Sequence, residues 1–190
     1  MVDDVQDEAF RRAAVACLDG LYGFALTLSR DRATAEDLVQ ETYVRAFAAS
    51  RKAAPEDNLR GWLFTILGNI WKNERKRRRP EAVGDVEELA GGVPSRGPDP
   101  HATLGQRELR EQLRGALDAL PESFREVVVL RCVEGFSYQE MARVVGCPAG
   151  TVMSRLARAR ALLRQALSSA EVKTTRPPLL AILRPRGSRS

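Results

Sequence analysis

Thr151, Ser154, Arg155 and Arg158 are spaced i, i+3, i+4, i+7, as residues on one helical stripe are. Two small hydroxyls at the start can bond base edges, and two guanidinium groups further along can meet phosphates. A helix entering a DNA major groove needs that chemistry. A second polar set follows a similar rhythm: Asn69, Lys72, Asn73 and Lys76, running into Arg75-Lys76-Arg77-Arg78-Arg79. Cations at a helix C-terminus gain roughly a few tenths of a kcal/mol each from the dipole. That gain does not call for so dense a cluster, and a nucleic-acid contact accounts for it better. Just upstream lies Ser50 to Asp57, with Arg51, Lys52 and Pro55. A loop carried on rigid helices is a suitable place to read an unpaired base. A third set, Asp37, Gln40, Glu41 and Val44, is acidic in a basic protein. It is a poor phosphate contact. On the residues alone a solvated helix face is favoured, with a basic protein partner as the other reading.

The elements that must position these groups can be read from caps and periodicity. Ser137 and Glu140 stand in the Ser-x-x-Glu arrangement of a capping box. Tyr138, Met141, Ala142 and Val145 then share a helical face, and Gly146-Cys147-Pro148 ends that helix. In the next helix Val152, Leu156, Ala159 and Leu163 follow the spacing of a buried stripe opposite the polar one. The pair reads as a helix-turn-helix, against an ordinary amphipathic hairpin with a solvated basic face. Further back, Val39, Tyr43, Ala46 and Phe47 form an apolar stripe on a helix over Ala35–Ala49. Trp62, Phe64, Ile66, Leu67 and Ile70 form the body of the helix that ends in the arginine run. Val127-Val128-Val129-Leu130 reads as a buried helix rather than a strand, and the fold should be all-α.

The chain has 190 residues, 44% hydrophobic and 29% charged, with a net charge of +5. It is therefore globular, with a moderate bias towards a polyanionic partner. It divides into an N-terminal tail 1–9, a helical block 10–80, a linker 81–103, a second helical block 104–168 and an extension 169–190 expected to be disordered. The linker region carries Gly84, Gly91-Gly92, Pro94, Gly97, Pro98 and Pro100. That composition predicts an exposed connector, leaving two small domains free to take independent positions. No apolar run is long enough for a membrane span and the start is acidic, so a cytoplasmic location is expected.

The residues offer no catalysis. There is no phosphate-binding Gly-Lys loop and no nucleophile–base pair, and the only histidine, His101, falls in the linker. Cys17, Cys132 and Cys147 are far apart and too few for a zinc site. No metal or cofactor is expected. Cys17 and Cys132 read as buried small hydrophobes, and Cys147, in the turn, as the accessible one.

Five segments in order resemble the extracytoplasmic-function sigma factors of the sigma-70 family. Ala35 to Phe47 resembles the helix that binds core RNA polymerase. Leu59 to Asn69, followed by the basic run, resembles the helix facing the promoter −10 element. Leu120 to Leu130, Gly135 to Ala142 and Gly150 to Arg160 resemble the domain that reads the −35 element. The match covers about Phe10 to Leu167.

The resemblance implies that Asp37, Gln40 and Glu41 meet the clamp coiled coil of the polymerase β′ subunit, with a weaker contact of the second domain to the β flap. It implies −10 contacts by Lys52, Asn58, Arg60, Asn69, Lys72, Asn73 and Lys76, where a flipped base is held near the loop. It implies −35 contacts by Arg131, Thr151, Ser154, Arg155 and Arg158, a linker threading near the polymerase active-site channel, and an anti-sigma partner. A conventional helix-turn-helix regulator that binds duplex DNA by itself is the alternative. A nonspecific nucleic-acid binder using Arg75–Arg79 is a third class.

Overall fold

A computed structural model describes residues 2–53, 58–78 and 104–171, and eight α-helices make up most of these described residues. The first block holds α1 (Val2–Val15), α2 (Leu18–Ser29), α3 (Arg32–Ala53) and α4 (Leu59–Arg78). The second holds α5 (Leu104–Asp118), α6 (Glu122–Cys132), α7 (Tyr138–Val145) and α8 (Ala149–Glu171). Among the described residues no strand occurs, and Val127 to Leu130 lie buried within α6. The linker, residues 54–57 and residues 172–190 lie outside the described residues, and Ser50–Ala53 of the expected loop Ser50–Asp57 belong instead to the end of α3. Helix α1 takes in residues 2–9, where the sequence predicts a tail.

The starts of α3, α4 and α7 are set by short polar side chains that satisfy otherwise unpaired N–H groups. Asp31 Oδ2 accepts the Thr34 N–H at 2.7 Å ahead of α3, and Asn58 Oδ1 accepts the Gly61 N–H at 2.8 Å ahead of α4. At α7 the capping box is complete. Ser137 Oγ accepts the Glu140 N–H, while the Glu140 carboxylate accepts the Ser137 N–H at 2.8 Å. Gly146 ends α7 at φ 68°, in the left-handed region where glycine carries no Cβ penalty.

The apolar residues of the two blocks merge into one core. Leu21, Phe24, Leu63, Phe64 and Leu67 of the first block are fully buried, as are Val127, Leu130, Met141, Leu156 and Leu163 of the second. Phe64 meets Phe24 at 5.4 Å between ring centroids and Phe136, across the block boundary, edge-on at 4.9 Å. Helix α2 packs on α6, and α4 on α7. The blocks therefore sit against each other here rather than taking the independent positions the linker composition predicts. At the α4–α7 crossing Gly68 lets two backbones approach closely: a Cβ there would lie 2.7 Å from the Val144 carbonyl oxygen.

Candidate nucleic-acid and protein-binding faces

Helix α3 buries Ala35, Leu38, Val39 and Ala46 against the core. Its opposite side leaves Asp37 and Gln40 exposed, Glu41 half-buried and Val44 63% exposed. Glu41 pairs with Arg45 one turn on at 2.7 Å. Phe47, expected on the buried stripe, is 40% exposed. It stacks on Tyr43 and meets Phe10 of α1 edge-on, each at 5.8 Å. The Tyr43 hydroxyl donates to the Ala14 carbonyl at 2.8 Å, and burial pushes its pKa up to about 12. The phenol thus stays neutral and anchors α1 to α3. The result is a firm face that is acidic at one end and apolar at the other.

Helix α4 presents Asn69, Asn73, Lys76 and Arg77 to solvent. Three other residues assigned to the same role turn towards the second block. Asn58 caps α4 and donates through Nδ2 to Glu140 Oε1 at 2.8 Å. Arg60 donates to the Glu134 carbonyl at 2.7 Å and pairs with the Glu134 carboxylate, while its guanidinium lies over the Phe136 ring at 4.7 Å. Lys72 Nζ donates to the Val144 carbonyl at 2.9 Å, and burial pulls its pKa below the usual lysine range. The side chain of Lys52 lies outside the described residues.

On α8 the hydrophobic stripe is as expected: Val152, Leu156, Ala159 and Leu163 are at most 1% exposed. Ser154 and Arg158 are exposed, and Thr151 and Arg155 are half-buried at the start of the helix. The Ser154 hydroxyl donates to the Thr151 carbonyl at 2.9 Å. Arg131 stands apart from this stripe. It donates to the Phe136 carbonyl at 2.8 Å and sits over the Tyr138 ring at 5.2 Å, bracing the α6–α7 turn. All three cysteines are half-buried, and burial raises each thiol pKa. Cys147 is therefore a less ready thiolate than its turn position suggests.

Several residues that shape these faces carry no motif. Glu122 accepts from Trp71 Nε1 at 2.8 Å and from Arg75 at 3.0 Å. Arg125, buried in α6, donates to the Thr27 carbonyl of the first block at 3.2 Å and to the Leu120 carbonyl at 3.3 Å. Glu126 is buried beside Lys72, Arg155 and Arg75, and desolvation pushes its pKa up to about 7. A glycine in mid-helix at position 68 is the one sequence signal of this close packing.

Among the described residues no helix is long and apolar enough to cross a membrane. Residues 14–81 match the sigma-70 region 2 family and residues 110–163 the sigma-70 region 4 family. The chain is 38% identical over 156 residues to the ECF RNA polymerase sigma factor EcfG of Rhodopseudomonas palustris, covering 82% of this chain and 83% of that protein. It is 36% identical to the ECF RNA polymerase sigma factor SigE of Mycolicibacterium smegmatis, over 88% of this chain and 63% of the relative. Among solved structures, the sigma factor RpoE in complex with the anti-sigma factor NepR from Bartonella quintana superposes with a TM-score of 0.67 at 34% identity. That match covers 85% of this chain and 98% of the other. CnrH in complex with the cytosolic domain of CnrY gives 0.58 at 26% identity, covering 85% and 89%.

Proposed function

The chain belongs to the sigma-70 family, among the ECF sigma factors of RNA polymerase, and from that premise we propose how its surfaces divide the work of promoter selection. As an alternative sigma factor it directs transcription initiation. It acts as a non-catalytic specificity subunit in the cytoplasm, binding core polymerase and placing two DNA readers on one promoter. A partner of the anti-sigma class holds it in check.

The carrying observation is that the acidic stripe of α3, where Glu41 is paired with Arg45, lies on a different helix from the two basic stripes. The α3 face joins Asp37, Gln40 and Glu41 to exposed Val44 and Phe47. The exposed cations of α4 and α8 lie on other elements. An acidic–apolar face suits a basic, helical protein surface such as the β′ clamp coiled coil, and repels DNA. Asn69, Lys72, Asn73 and Lys76, with Asn58, Arg60 and Lys52, form the −10 reader: amide groups for unpaired base edges and cations for phosphates. Thr151, Ser154, Arg155 and Arg158 form the −35 reader in the major groove, and the second block also touches the β flap. Arg131 serves the −35 reader by holding the turn that aims α8. Each reader alone binds DNA weakly, and the polymerase supplies the scaffold and the avidity. Capture of unpaired −10 bases drives strand opening, so this chain hydrolyses no nucleotide.

The test is a pair of double variants. Asp37→Arg with Glu41→Arg loses core polymerase in a pull-down while circular dichroism stays helical. Arg155→Ala with Arg158→Ala keeps the pull-down and loses initiation from promoters that need a −35 element. Loss of polymerase by the second pair, or its retention by the first, overturns this division. A conventional regulator, by contrast, binds paired half-sites in duplex DNA without polymerase.

A further inference from the structure

Solvent exposure on α8 does not follow the stripe that the assigned −35 contacts define. Thr151 and Arg155 are half-buried, and the charge of Arg155 pulls on the buried Glu126 carboxylate and on the Cys147 thiol. The outward side of the first turns is Gly150, Met153, Ser154, Ala157, Arg158 and Ala161. It lies opposite the buried stripe that starts at Val152. Residues four apart are neighbours on a helix surface, so this side divides into two parallel rows. Gly150, Ser154 and Arg158 make a polar row, and Met153, Ala157 and Ala161 make an apolar one.

Met153 is the long side chain of the apolar row and is 48% exposed. Gly150 one turn before it and Ala157 one turn after it have little or no side chain to cover it. The Ser154 hydroxyl donates to the Thr151 carbonyl at 2.9 Å, which leaves its lone pairs for an outside donor. Arg158 brings a guanidinium fork. A helix that meets DNA through this side therefore offers one acceptor, one set of donors and, beside them, a thioether and two methyl groups.

In the major groove the apolar feature of the base edges is the thymine 5-methyl group, whereas guanine, adenine and cytosine present donors and acceptors there. An apolar row pressed on those other edges takes polar groups out of water and gives them no partner, which is unfavourable. Pressed on thymine it buries a methyl. The unbranched thioether has enough rotatable bonds to settle against that methyl without moving the helix.

We infer that Met153 is a specificity-determining residue of the −35 reader: with Ala157 it forms an apolar row that selects thymine through its 5-methyl group, while Ser154 and Arg158 form the parallel row that reads polar base edges. Arg155, at the flank of this face, is placed for a phosphate instead. The inference rests on the reading of α8 as the −35 helix.

The test uses holoenzyme assembled from core polymerase and the full chain, on a duplex promoter recovered by run-off transcription from genomic fragments. Each thymine of its −35 element is replaced in turn by deoxyuridine, which keeps every hydrogen-bonding group and lacks only the methyl. At one thymine or more, wild-type holoenzyme is expected to bind about fourfold more weakly after the replacement, the worth of one buried methyl-sized group. Met153→Ala is expected to bind the thymine promoter about fourfold more weakly and to treat thymine and deoxyuridine alike. Met153→Leu should restore the discrimination, and Met153→Gln, of similar length but polar, should not. Met153 is exposed, so all three variants should pull down core polymerase as wild type does. Arg158→Ala should weaken binding while keeping the preference for thymine. A wild-type holoenzyme indifferent to every replacement, or a Met153→Ala variant with the wild-type preference, overturns the inference. If neither Arg158→Ala nor scrambling the −35 element changes binding, α8 is not the −35 reader and the role of Met153 falls with it.

Discussion

Replacing Glu126 with Gln should stabilise this protein above neutral pH and leave it unchanged in mild acid. Glu126 is buried in α6, where desolvation outweighs the attraction of Lys72, Arg155 and Arg75 and lifts its pKa from 4.5 to about 7. A raised pKa means that the folded chain prefers the protonated acid. Its contribution is therefore fully present below about pH 4.5 and is lost as the pH rises through about 7. At 1.36 kcal/mol per unit, the loss over that window is about 3 kcal/mol. Gln has the same shape and no charge to desolvate, so the variant should gain about 3 kcal/mol over wild type at pH 8 and almost nothing at pH 4.5. Urea denaturation of both proteins at intervals between pH 4.5 and 8 measures this directly. Taking the difference between them cancels other groups that titrate in the window. Glu140 has a lowered pKa because it accepts from Ser137, so its contribution is lost only as the pH falls below the usual carboxylate range. If the Glu126→Gln variant is less stable than wild type at pH 8, the three cations hold the carboxylate ionised and desolvation is not the dominant cause.

Three other perturbations have expected outcomes. Leu163→Ala opens a cavity under α8 and should cost about 2–5 kcal/mol by denaturant titration. Arg125→Ala removes donors to two buried carbonyls, one in each block, and should cost about 3 kcal/mol, with the α2–α6 contact exchanging fastest by hydrogen exchange. Arg155→Ala with Arg158→Ala should flatten the salt dependence of holoenzyme binding to a −35 duplex, each lost phosphate contact lowering the log–log slope by about 0.9. An unchanged slope would place both guanidinium groups away from phosphates.

Local features are legible in the chain and contacts between blocks are not. The Ser137–Glu140 capping box, the Gly146 stop and the Val152–Leu163 stripe are written within short windows, and each stands in the structure as spacing predicts. Periodicity reports a side chain's face but not what lies opposite. It therefore does not single out Trp71 and Leu63 as core residues, and it places Phe47 on the buried stripe although that ring covers only the edge of α1. Arg125 and Glu122 look like ordinary helix-surface charges in the sequence because their partners, Thr27, Trp71 and Arg75, lie in the other block. The Pro- and Gly-rich linker speaks for freedom between the blocks. The opposing signal is Gly68 within α4, whose missing side chain only makes sense once Val144 is seen against it.

Run-off transcription with purified core RNA polymerase, a genomic promoter library as template, and this protein added or withheld tests promoter selection by this chain most directly. The expected result is a set of new transcripts, present only with the protein, that share a two-part upstream element at a fixed separation. A folded protein that shifts duplex DNA alone, yet yields no new transcript with core polymerase, would contradict a sigma-factor role.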